Sequence, residues 1–133
     1  DIDAQTQLWL KQVYHPVTRA VVKVTRQLKG EMTQLSADPF DDELLDAFQA
    51  YLDDCSEAIE ESQRRFRSVP NPSPLAGVAS NLYYCLAQVA DGLDELERFG
   101  YCYDEHYLHT GQELFRIAIK LQHEAQFALQ SLY

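Results

Sequence analysis

The chain has 133 residues, 46% hydrophobic and 24% charged, and carries a formal charge of −10 from 11 Lys and Arg against 21 Asp and Glu. This length suits one domain over residues 1–133, able to bury roughly two-thirds of its unfolded surface, and the composition excludes a disordered chain. The acidic balance argues against nucleic acid and anionic membranes as partners, and aliphatic runs such as Ala20-Val21-Val22 are too short for insertion into a bilayer.

The first segment places Leu10, Tyr14, Val17, Val21, Val24, Leu28 and Leu35 at alternating steps of four and three. That spacing puts one apolar stripe on a helix over about residues 3–36. Pro16 falls inside it, and because the phase holds from Tyr14 to Val17 we expect a helix kinked at Pro16 rather than two helices. His15 is then expected to cap the carbonyl that the proline leaves unpaired. Glu31 interrupts the stripe beside Gly30, and residues 4–30 hold Lys11, Arg19, Lys23, Arg26 and Lys29 without an acid.

Asp38-Pro39 is a capping acid before a proline and predicts a second helix over about 39–68. Its stripe is Leu45, Phe48, Leu52, Cys55, Ile59, Phe66 and Val69, and residues 38–61 hold ten acids and no base. Arg64, Arg65 and Arg67 follow near the negative end of the helix dipole. The proline-rich stretch from Val69 to Pro74 must break the helix, and Ser73-Pro74 starts a third over about 74–99. Leu75, Val78, Leu82, Cys85 or Leu86, Val89, Leu93 and Leu96 form its stripe, with Gly100 as the expected left-handed end. Of the adjacent Tyr83 and Tyr84, at most one can fully face a core. The fourth helix, about 104–132, carries Tyr107 or Leu108, Leu114 or Phe115, then Ala118, Leu121, Ala125, Ala128 and Leu132. Ile117, Ile119 and Phe127 lie off that line, where they cover the flank of the core or face a second subunit.

Four amphipathic helices of similar length with short turns predict an all-α, antiparallel up-down-up-down four-helix bundle. Such a topology collects the first and third turns at one end. Glu31, His106, His109 and Glu113 then form a candidate site for Zn²⁺ or another divalent metal, with Asp42 as a further oxygen donor. The two histidines and Glu113 stand at i, i+3 and i+7 on one helix face. Against a metal, no Glu-x-x-His of the di-iron bundles occurs, and four histidines are few for a haemerythrin-like centre. His15 and His123 form a weaker pair at similar depth on the first and fourth helices.

No nucleophile motif, phosphate loop or dinucleotide fingerprint is present, and Cys102 near His106 lacks an oxyanion-hole loop. Cys55, Cys85 and Cys102 form no C-x-x-C pair, which fits small hydrophobes in a reducing cytoplasm. Acids and bases among residues 1–20 lead us to expect no secretory leader. The sequence therefore reads as a non-enzymatic, self-associating protein-interaction or regulatory module with no cofactor. Its candidate contact residues are the basic ridge Arg19, Lys23 and Arg26 and the tyrosines Tyr101, Tyr103 and Tyr107 of the third turn. Alternatives are the divalent-metal bundle, and a cytoplasmic sensory or regulatory segment of a larger, membrane-attached protein. The third follows from a chain that starts without Met and is helical towards both ends.

Overall fold

The computed structural model describes residues 3–133, which form helices and contain no strand. The first rod runs Ala4–Trp9, through a π-helical turn at Leu10–Tyr14, into His15–Leu35, and is called α1. It is followed by α2 (Asp42–Ser68), α3 (Ala76–Cys102) and α4 (His106–Leu132). A 3₁₀ turn at Ser73–Leu75 leads into α3. Each helix packs on its sequence neighbour and α1 also rests on α4, which closes the four-helix bundle. Val21, Leu52 and Val89 are fully buried at its centre, while Leu121 is only half-buried.

The helix ends follow from local chemistry. Asp3 Oδ1 accepts the Thr6 backbone N–H at 2.7 Å, and this bond holds the Asp3 carboxyl below the usual carboxylate range. At α2 the cap is Asp41, whose Oδ1 accepts from Leu44 N at 3.0 Å, not the expected Asp38. Asp38 Oδ1 instead accepts from Phe40 N at 3.2 Å, a local turn that delays the helix past the proline. Gly100 does not end α3. The helix continues to Cys102, and Tyr103 takes the left-handed position with φ 56°, its N–H returning to Phe99 O at 2.9 Å.

Pro16 is absorbed without breaking α1. A proline has no N–H to offer the carbonyl four residues back, which is Gln12 O. That oxygen is met by Arg65 Nη1 of α2 at 3.4 Å, so the expected role of His15 falls to an arginine. The preceding π turn adds a residue to the rotation and moves the apolar seam. Trp9 and Val13 are fully buried where the sequence pointed to Leu10, which is only partly covered. Trp9 Nε1 also donates to Asn71 Oδ1 at 3.2 Å, tying the start of α1 to the proline-rich turn.

The closest pairing is α3 on α4. Small residues line both surfaces at heptad spacing: Cys85 and Gly92 on α3, Gly111, Ala118 and Ala125 on α4, all buried. A Cβ on Gly111 would lie 2.5 Å from Leu96 Cγ and 3.1 Å from Gly92 O; one on Gly92 would lie 2.7 Å from Phe115 Cδ1. Backbones can approach this closely only where side chains are missing. Cys85 Sγ uses the proximity to donate to Ala118 O at 3.3 Å. Tyr83 and Tyr84 both face outward, at 55% exposure each, because Leu82, Cys85 and Leu86 take the core face.

Candidate functional site

The first and third turns do meet at one end. Phe40 lies 6.4 Å from Phe99 and 6.2 Å from Tyr103, ring centre to ring centre, and Phe99 and Tyr103 lie edge to face at 6.4 Å. Phe99 is fully buried, whereas Phe40, Tyr101 and Tyr103 are exposed, Tyr101 by 83%. Tyr107 is half-buried against the core. Asp42, Asp46, Gln49, Gly100, Tyr101 and Tyr103 line an open hollow between α2 and the end of α3. Aromatic faces and carboxylates thus stand side by side on the surface.

The four residues considered for a metal are dispersed in their contacts. Glu113 pairs with Arg116 at 2.6 Å on the surface of α4. His106 Nε2 lies 3.5 Å from Thr110 Oγ1, and both His106 and His109 are exposed. Glu31 is half-buried on the α2 side of α1, close enough to Tyr51 and Cys55 for its charge to act on both. Asp42 opens α2 and is exposed. Among the described residues no group of three or more His, Cys, Asp or Glu is disposed to hold a metal ion.

Buried polar groups serve the core. Tyr51 donates its hydroxyl to Val24 O at 2.9 Å, bridging α2 to α1, and burial holds its phenol far above the ordinary value. Burial pushes the Cys55 thiol up to about 11, with the Asp54 and Glu31 charges adding to the effect and Tyr51 and Lys23 opposing it. Burial alone pushes Cys85 up to about 12. Neither is an activated nucleophile, since the reactive species is the thiolate. Cys102 is exposed. Glu97 on α3 is raised, first by partial burial and then by Asp94 and Asp53, while Ser56 opposes the shift.

Charge divides by side. The adjacent helices α1 and α4 carry Lys11, Arg19, Lys23, Arg26, Lys29, Arg116 and Lys120 against Glu31, Glu113 and Glu124. Their neighbours α2 and α3 carry twelve acids against Arg64, Arg65, Arg67 and Arg98. Arg19, Lys23 and Arg26 are exposed and have no ion-pair partner among the described residues. Helical phase sets Arg19 and Arg26 on the outer back of α1 and turns Lys23 towards α2. Sequence reasoning singled out these three residues but missed the grooves beside them, and it missed Gly92 and Gly111. Their signal was a glycine inside a strongly helical stretch, which costs stability unless packing requires it.

These features define a helical-bundle domain whose distinctive chemistry lies on its surface. Residues 1–133 match the family described as "Cyanobacterial DnaJ chaperone, C-terminal domain", and the chain belongs to that family. The family is one of chaperone domains and not of enzymes. No curated protein and no solved structure matches the chain. No helix among the described residues is long and apolar enough to cross a membrane.

Proposed function

We propose that this domain is a non-enzymatic protein-binding module of a DnaJ-type chaperone, acting in the cytoplasm and associating with itself. The observation that carries this reading is the match to a chaperone C-terminal domain over the whole chain. The surface is consistent with it. Phe40, Tyr101 and Tyr103 expose aromatic faces at one end, a kind of side chain enriched where proteins meet. The exposed Arg19 and Arg26 on the back of α1 complement the exposed acids of α2 in a second copy.

Two measurements test the two halves. Light scattering of a thermally unfolding model protein should fall when equimolar domain is present, and the Tyr101→Ser/Tyr103→Ser variant should lose most of that effect. Scattering unaffected by the wild-type domain would remove the protein-binding half. Sedimentation equilibrium should show association that weakens from low to high salt, as an electrostatic contact requires. A strict monomer at every concentration and salt would remove the self-association half.

A further inference from the structure

We propose that the hollow between α2 and the C-terminal end of α3 docks an extended segment of a partner polypeptide that carries arginine or lysine at alternate positions. Its walls come from both helices, with Asp42 and Asp46 on α2 facing Tyr101 and Tyr103 at the end of α3. Its floor is apolar: Phe48, Leu52 and Leu96 lie buried beneath a space of about 470 Å³.

Three features draw a cation to this place. Asp42 and Asp46 are both exposed, and neither has an ion-pair partner among the described residues. The α2 dipole accounts for a carboxylate in its first turn, where Asp42 stands, but its effect fades before Asp46. The second feature is the end of α3, the negative pole of that helix, whose last turn carries no basic residue. The third is aromatic. Tyr101 is 83% exposed and Tyr103 is exposed beside Phe40, so ring faces stand open next to the carboxylates. A guanidinium or ammonium head is attracted to both, and its aliphatic stem covers the floor.

Neither wall supplies that cation itself. Residues 30–63 and 99–115 contain no Lys or Arg, and Arg98, the nearest base in sequence, is paired with Glu95 at 3.6 Å. Glu97, raised first by partial burial and then by Asp94 and Asp53, continues the carboxylates along the α2–α3 seam and also lacks an ion-pair partner among the described residues. Spacing favours an extended occupant. Asp42 and Asp46 stand about 6 Å apart along α2 at 1.5 Å per residue. Alternate side chains of an extended chain fall on one side at intervals of about 6.6 Å, so bases at i and i+2 meet both carboxylates. On a second copy, the outward bases of α1, Arg19 and Arg26, stand about 10.5 Å apart and reach only one of the pair at a time.

This assignment rests on the protein-binding reading above and is tested apart from it. The probe is a fluorescein-labelled, flexible ten-residue peptide with Arg at alternate positions, compared by anisotropy with a version carrying Glu for every Arg. The arginine peptide should bind roughly tenfold tighter or more, and more weakly as salt rises. Asp42→Asn/Asp46→Asn, surface changes whose fold circular dichroism will verify, should weaken it about tenfold, and Tyr101→Leu about threefold. Asp91→Asn/Glu124→Gln removes the same two charges outside the hollow and should leave the affinity within about twofold. Equal loss from the two pairs of changes would mean attraction to the overall negative charge alone and overturns the assignment. Loss of self-association in Asp42→Asn/Asp46→Asn with peptide affinity unmoved gives the hollow to a second copy and overturns it too. A domain that suppresses aggregation yet binds the two peptides equally loses this assignment and keeps the protein-binding reading; one that does neither loses both.

Discussion

Gly111→Ala isolates the contact that makes α3 and α4 the closest pair in the bundle. In an open helix the change helps, because alanine is favoured over glycine by about 0.5–1 kcal/mol. Here the new Cβ would lie 2.5 and 2.6 Å from Leu96 Cγ and Cδ2, and 3.1 Å from Gly92 O. Leu96 is fully buried, so its branch point has no solvent to retreat into, and the carbonyl belongs to a helix backbone. Overpacking of this kind costs about 1–3 kcal/mol and here outweighs the propensity gain. We expect net destabilisation of about 1 kcal/mol, which for a chain of this length lowers Tm by roughly 4 °C. Gly30→Ala is the control: nothing lies within 4 Å of its Cβ, so Tm should rise by about 2–4 °C. Calorimetry of the two variants decides the matter. A Gly111→Ala protein as stable as Gly30→Ala would refute the close-packed α3–α4 seam.

Tyr51→Phe removes the buried hydroxyl that bridges α2 to Val24 O and should cost about 1 kcal/mol in urea unfolding, with an unchanged m value. Among the three thiols, Cys102 should react with Ellman's reagent in the folded protein, while Cys55 and Cys85, buried and pushed up to about 11 and 12, should react only after denaturation. Glu97 is raised in the fold, so the native state holds its proton more tightly than the unfolded chain and this residue's contribution to stability falls as pH rises above the usual carboxylate range. Glu97→Gln should therefore raise Tm at pH 7, and the advantage should shrink towards pH 4 in paired melting curves.

Much of the bundle was readable because its determinants are local. The stripes of α2 and α3 name Phe48, Leu52, Cys55, Ile59, Leu82, Cys85, Val89 and Leu96, and all are buried. Apart from the α2 cap, which a local turn at Asp38 moved to Asp41, each slip traces to a non-local partner or to the π turn. The π turn shifted the seam from Leu10 to Trp9 and Val13, and no spacing rule anticipates an added residue per turn. Gln12 O found Arg65, fifty-three positions away, which periodicity on one helix cannot reveal. Tyr103 in place of Gly100 as the left-handed residue reflects the Phe40–Phe99–Tyr103 cluster, a tertiary packing that overrides glycine's preference. The charge segregation was legible by counting, whereas the α2–α3 hollow depends on how far two helices separate, which only the assembled bundle shows.

A protein-binding bundle must hold other polypeptides on its surface. An ¹⁵N–¹H spectrum recorded while a reduced, carboxymethylated and hence permanently unfolded protein is titrated in addresses that residue by residue. Saturable shifts at Phe40, Tyr101 and Tyr103, with the core amides of α3 and α4 unmoved, are the result predicted for a chaperone's binding domain. A spectrum unchanged at a severalfold excess of the unfolded chain would contradict it.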